Sequence, residues 1–163
     1  MTLSPALIKA FIIFPLNVMG VIPAFILWYE GKFKLHQLEV VTAISGGVLV
    51  ACGLVICWVT VSLFTDHGEG TPAPFAPPKK LVVIGIYRYM RNPMMTGVWC
   101  ALIGEAIFFK SPGIVLWLVI FFAGCMALIP LWEEPDLEKR FGESYREYKK
   151  QVPRWIPRLT ALL

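Results

Sequence analysis

Residues 111–134 read SPGIVLWLVIFFAGCMALIPLWEE. Between Ser111 and Trp132 there is no charged residue, and then two acids follow side by side. At about 1.5 Å of rise per residue, such a run crosses a hydrocarbon layer of about 30 Å. Inside lipid every backbone N–H and C=O must find a partner within its own segment, so the run is a helix. Two more charge-free runs, Ala10 to Tyr29 and Val40 to Phe64, meet the same criterion. A shorter one, Met94 to Phe109, contains Glu105. The chain is 57% hydrophobic and only 16% charged, a composition outside the soluble globular range.

The fold class expected from these runs is an all-α integral membrane protein with about four transmembrane helices, built as one domain over 1–163. The helices are placed at 6–29, 38–64, 94–109 and 111–132, with a linker at 65–93 and a tail at 133–163. Lys110-Ser111-Pro112-Gly113 is a tight turn, so helices three and four form a hairpin. The first run is too long for a secretory signal and no small-residue cleavage site follows it, so it is read as a retained helix. Trp28-Tyr29-Glu30 reads as its interfacial end.

The basic residues orient the helices. Four spans put twelve of the 15 lysines and arginines on one side and leave Lys32, Lys34 and Lys110 on the other. The asymmetry places both termini in the cytoplasm, in a plasma (inner) membrane. The tail mixes acids with bases, so the +4 net charge reports topology and argues against a nucleic-acid partner. Cys52, Cys57, Cys100 and Cys125 all fall within apolar runs without CxxC spacing or a histidine cluster, which points to neither a metal nor a disulfide framework. His36 and His67 are isolated and carry no assignment.

Ala43, Gly47 and Ala51 form a small-residue stripe at four-residue spacing, with Gly46 and Gly53 nearby. It suits helix packing within the chain, and alternatively a homodimer seam. Asp66 to Lys80 is rich in proline and glycine and reads as an extended linker. Leu81 to Ile84 resembles a short strand, or the wall of a cofactor pocket. Beyond Pro135 the residues Leu137, Phe141, Tyr145, Tyr148 and Val152 fall on one helical face. That helix fits a solvated surface helix as well as a wall over a pocket. Trp155 and Ile156, flanked by prolines, return the tail to the interface.

Two polar segments carry the chemistry: Gly85 to Met94, and Glu133 to Gly142 running on to Pro157. Arg88 and Arg91 serve as positive-inside anchors or as a site. Glu133 and Glu134 stand at the negative end of a helix dipole, where acids are disfavoured. They therefore call for a cation, from Arg88, Arg91, Arg140 or a ligand. Glu105 is read as an interfacial acid near Lys110.

Taken in order, Gly85-Ile86-Tyr87, Arg91-Asn92-Pro93, Gly97, Glu133-Glu134, Phe141-Gly142, Tyr145, Tyr148 and Val152-Pro153-Arg154-Trp155-Ile156-Pro157 resemble the signature of one superfamily. It comprises the isoprenylcysteine carboxyl methyltransferases and phospholipid methyltransferases, and the likeness runs from about Pro77 onward. The resemblance implies S-adenosylmethionine as cofactor and a lipophilic small-molecule or lipidated substrate, or a membrane lipid, as methyl acceptor. By carry-over, Leu81 and Val82 line the adenosine pocket, and Tyr87 with Arg91, Asn92, Pro93, Met94, Met95 and Gly97 holds the cofactor. Glu133, with Glu134, binds its ammonium or a ribose hydroxyl. Arg140 and Arg154 lie near the reaction centre or the cofactor carboxylate, which makes Arg140 and Glu134 the catalytic choices. Asn92 stands where the family has histidine and Met95 where it has tyrosine, so this position offers no titratable base. Competing expectations are a phospholipid or amine N-methyltransferase, an NADPH-dependent membrane reductase of the sterol-reductase type, and a non-catalytic membrane subunit.

Overall fold

The computed structural model describes residues 12–33, 39–68 and 78–162. The start of the first expected span, the residues around His36 and most of the proline-rich linker lie outside the described residues. The described chain is helical. A π-helical stretch, Ile12–Val21, runs into α1 (Ile22–Tyr29). α2 (Val40–His67) follows, then a 3₁₀ turn at Gly85–Arg88 and α3 (Pro93–Phe109). α4 (Pro112–Leu128) continues through a π-turn, Ile129–Glu133, into α5 (Glu134–Phe141), and α6 (Glu143–Gln151) closes the helical part. Among the described residues, two helical runs are long and apolar enough to cross a membrane, Val40–Phe64 and the run starting at Pro112; Leu16–Tyr29 and Pro93–Phe109 are shorter apolar helices.

Glycine sets how closely α2 and α3 approach. A Cβ at Gly53 would sit 2.5 Å from the Gly97 carbonyl, and one at Gly46 2.6 Å from the Gly104 carbonyl. The stripe that makes this contact is thus Gly46/Gly53 against Gly97/Gly104. Of the stripe expected from spacing, Ala43 and Gly47 are half-buried and Ala51 is exposed. Val18 of the first helix packs on Cys57, Val98 and Leu102, and Leu27 packs on Ala106 and Ile114.

The far ends of α1 and α4 are clasped by one carboxylate. Glu30 accepts the Ser111 hydroxyl at 2.6 Å and the Gly113 N–H at 2.8 Å. Ser111 in turn caps α4 by accepting the Ile114 N–H. An acid belongs at this helix start, where unpaired N–H groups concentrate positive potential.

α2 runs three residues past the expected end at Phe64 and stops at Gly68, whose carbonyl then accepts the Lys79 N–H at 2.8 Å. The linker therefore begins later than its composition indicated. Leu81 to Ile84 is not a strand: Leu81 and Val83 pack instead on the Tyr145–Tyr148–Val152 cluster. Gly85 has φ +55° and faces Leu63, a conformation and a space that together require glycine. The amphipathic tail is two helices rather than one, broken at Gly142 (φ 56°). Its apolar face nevertheless forms the third core cluster, with Tyr145, Tyr148 and Val152 buried.

Candidate active site

The π-turn at Ile129–Glu133 has a local cause. Pro135 has no N–H to give Leu131, and its ring would clash with that carbonyl. The helix widens by one residue, and the Glu134 N–H reaches back to the Ile129 carbonyl. Glu133 and Glu134 then lie about 100° apart around the axis. One turns inward and the other outward.

Glu134 turns inward and is 1% exposed. Arg154 grips it in a fork, Nε donating to Oε1 at 2.6 Å and Nη2 to Oε2 at 2.9 Å. Arg91 donates Nη1 to the same Oε1 at 2.6 Å, and the Lys149 ammonium lies 3.2 Å from Oε2. Burial alone would raise this carboxyl. The hydrogen bond from Arg154 and the charge of Arg91, with Lys149 beside them, outweigh burial and hold it below the usual carboxylate range.

Glu133 is exposed and makes no hydrogen bond or ion pair among the described residues. Its charge still reaches inward. Burial pushes the Tyr87 phenol well above its ordinary value, and the neighbouring Tyr148 and the Glu133 carboxylate add to the effect. Tyr87 is buried edge-on against Phe64, and its carbonyl accepts the Tyr148 hydroxyl at 2.7 Å.

The turn from Arg91 to Met95 is held by the tail. The Arg91 N–H donates to the Pro153 carbonyl at 2.9 Å, its Nε to the Val152 carbonyl at 2.9 Å, and the Asn92 N–H to the Arg154 carbonyl at 3.2 Å. Pro93 opens α3 and Met94 is buried, its carbonyl facing Cys57 Sγ at 3.7 Å. Met95 Sδ lies 3.9 Å from Cys125 Sγ. Val82 is buried and Leu81 half-buried.

The structure thus brings together Tyr87, Arg91, Asn92, Pro93, Glu134 and Arg154. Gly97 faces away, pressed on Gly53 in the α2–α3 seam. Arg140 does not reach the glutamates. It donates to the Pro78 carbonyl, lies 3.6 Å from Asp136, and stacks over the Phe141 ring at 5.1 Å. Six residues along a helix from Glu134 is about 240° of rotation, so it points elsewhere. Arg88 spans to the Leu162 carbonyl instead. Lys149, and Tyr145 as a neighbour of Arg91, were not assigned to the site from the sequence. Arg91 Nη1 is 3.4 Å from the Tyr145 hydroxyl. The i, i+4 spacing of Tyr145 and Lys149 on one helical face was the available signal.

Chemically, the cluster sets three cations, Arg91, Arg154 and Lys149, against Glu134 and Glu138. An open carboxylate, Glu133, stands beside it. This donor set fits a zwitterionic amino-acid group. Glu133 is available for an ammonium or a hydroxyl, and Arg154 keeps Nη1 for a carboxylate.

The model of the phospholipid methyltransferase family matches residues 41–144. Among characterised proteins, the chain is 34% identical over 84 residues to protein-S-isoprenylcysteine O-methyltransferase B of Arabidopsis thaliana, covering 48% of this chain and 40% of that protein. It is 32% identical over 79 residues to methanethiol S-methyltransferase 2 of Bradyrhizobium diazoefficiens, covering 47% and 28% respectively. It is 27% identical over 119 residues to a phosphatidylethanolamine N-methyltransferase of Paracoccidioides brasiliensis, covering 68% and 11%. The chain spans well under half the length of these relatives. No solved structure matches it. The family match extends from α2 through the paired glutamates to the start of α6, more than half of the sequence, and the chain belongs to the phospholipid methyltransferase family.

Proposed function

We propose that this protein transfers a methyl group from S-adenosylmethionine to a lipophilic acceptor at the cytoplasmic face of a plasma membrane. In this proposal four helices span the bilayer and both termini are cytoplasmic. The observation that carries it is the pairing of Arg91 and Arg154 on buried Glu134, which leaves the neighbouring Glu133 open.

S-adenosylmethionine, when bound, supplies an electrophilic methyl group on a positively charged sulfur. The chain's residues bind and align. Glu133 would take the ammonium or a ribose hydroxyl, and Arg154 the carboxylate. Leu81, Val82 and Tyr87 would hold the adenosine, together with the Asn92-Pro93-Met94-Met95 turn. Glu134 acts as a positioning residue, because both its oxygens are taken by Arg91, Arg154 and Lys149. Arg140 ties the linker carbonyl of Pro78 to α5 at the entrance. No side chain at Asn92 titrates near neutral pH, and alignment of an in-line displacement does not need one. Positioning of this kind supplies about 7–11 kcal/mol of barrier lowering. A homodimer through Ala43, Gly47 and Ala51 would use a face the α2–α3 seam leaves open.

A phospholipid or amine acceptor is the second reading. α4 carries no basic residue before Glu133 to hold an acceptor carboxylate, and the relative that overlaps most of this chain is named for N-methylation.

Calorimetry of S-adenosylmethionine binding to the detergent-purified chain, with NADPH as control, tests the proposal. Saturable binding that Glu133→Ala removes, with thermal unfolding unchanged, is the expected result. No binding by the unaltered chain, with or without added lipid, overturns it, and NADPH binding in its place would favour reductase chemistry.

A further inference from the structure

The tail beyond α6 is a closed loop. Val152 is 1% exposed at one end, packed with Tyr145 and Tyr148. At the other end Leu162 packs on the same cluster, and its N–H donates to the Arg88 carbonyl at 3.0 Å. Midway, the Arg158 N–H donates to the Tyr89 carbonyl at 3.0 Å. Both ends and the middle are thus tied to the protein.

The tip between them is apolar and turned outward. Ile156 is 78% exposed and Leu159 fully exposed. A tied loop would not present two large aliphatic side chains to water without cost; each is worth about 1.5–3 kcal/mol when buried. Trp155, beside them, shows which way the loop points. Its ring lies 4.7 Å from that of Trp99, and Trp99 lies 4.6 Å from Phe122. Trp99 is six residues into α3, about 9 Å along the helix from Pro93. Trp155 therefore reaches below the level of the Arg91–Glu134 cluster and packs on Trp99 of α3, which in turn meets Phe122 of α4. Leu131 and Trp132, at the same end of the α4 run, are 78% and 75% exposed and continue the apolar surface.

We propose that the segment 155–159 is inserted into the membrane leaflet on the Arg91 side, with Trp155 as its anchor and Ile156 and Leu159 in contact with lipid. Tryptophan prefers this depth, where the ring is in apolar surroundings near the headgroups. The loop continues the lipid-facing surface of α3 and α4. The segment follows directly on Arg154, whose carbonyl and guanidinium fix the turn and Glu134. This proposal rests on the membrane-spanning reading of α2 and α4.

The experiment uses the full chain with Cys52→Ala, since Cys52 is exposed and the other cysteines are buried or half-buried. Ile156→Cys, Leu159→Cys, Leu131→Cys and Glu147→Cys are each labelled with an environment-sensitive fluorophore and reconstituted in phosphatidylcholine vesicles. Some vesicles carry a nitroxide just below the headgroup. Insertion predicts blue-shifted emission and nitroxide quenching at Ile156 and Leu159 matching Leu131, with Glu147 unquenched. If Leu131 is quenched while Ile156 and Leu159 behave like Glu147, the loop proposal is overturned and the spanning reading stands. If Leu131 also behaves like Glu147, both fall.

Discussion

Arg154 and Glu134 meet in a two-point fork, Nε on one carboxylate oxygen at 2.6 Å and Nη2 on the other at 2.9 Å. The same Oε1 receives Arg91 from the far side. One buried carboxylate thereby joins the junction of α4 and α5, the turn before α3 and the C-terminal tail. Such a carboxylate is costly to bury without its cations, and Glu134 is only 2% exposed in its side chain.

Removing one partner should therefore be costly. Glu134→Ala, which strips the shared acid from Arg91, Arg154 and Lys149, is expected to destabilise by about 3–5 kcal/mol, and Arg154→Ala, which leaves Glu134 with Arg91 and Lys149, by about 1–3 kcal/mol. Arg154→Lys should recover little, since an ammonium cannot reproduce the fork. The double variant should cost much less than the sum. Thermal unfolding in detergent, arranged as a double-mutant cycle, reads all three.

Glu133 offers the contrast. It is exposed and unpaired, so Glu133→Gln should change stability by no more than about 0.5 kcal/mol. Its effect should appear in cofactor binding alone. Equal destabilisation by Glu133→Gln and Glu134→Gln would remove the distinction between an open and a buried acid.

The pH dependence follows from the direction of the Glu134 shift. Its folded carboxyl is held below its ordinary value. The stabilisation is then complete above the unfolded value of about 4.3 and is lost as pH falls through the lower folded one. The stability difference between the unaltered chain and Glu134→Gln should thus be flat near neutrality and shrink on acidification. A difference that grew on acidification would contradict the cluster.

Helix approach makes a sharper steric test. Gly53→Ala places a methyl 2.5 Å from the Gly97 carbonyl and 2.7 Å from the Ala101 nitrogen, neither of which can swing aside. A loss of about 1–3 kcal/mol or more is expected. Gly47→Ala meets only the edge of Phe108 at 4.0 Å. It should be neutral or stabilising by up to about 1 kcal/mol. Comparative unfolding of the two variants decides.

At the opposite end, Glu30→Gln should weaken the clasp on Ser111 and Gly113 by about 0.5–2 kcal/mol. Ser111→Ala should lose a similar amount, and the double variant less than the sum. Limited proteolysis between α3 and α4 would follow the loosening.

Much of this arrangement was legible residue by residue. The apolar runs ending at Phe109 and Trp132 are helical as expected, α3 and α4 start at prolines, and α2 and α5 stop at glycines. Tyr145, Tyr148 and Val152 marked an apolar face by spacing alone, and the structure buries it, although Gly142 splits the tail into two helices. The polar turn at Arg91 and the paired glutamates stood out because acids at a helix C-terminus require a partner. Arg140 was the natural partner by proximity, yet helical rotation carries it to Pro78.

Apolar length and periodicity set the helices of this chain, because desolvating a backbone admits no alternative. Which acid is buried and which is open was left to three dimensions. Two neighbouring glutamates differ by about 100° of rotation, and the π-turn forced by Pro135 shifts the phase by a residue. Likewise the glycines that meet, Gly46 and Gly53 with Gly97 and Gly104, are chosen by how α2 and α3 cross. The two arginines on Glu134 come from 43 residues before it and 20 after it, brought in by a tail that returns to the turn. Contacts over such separations depend on closing the chain around a shared core, and no local pattern encodes that closure.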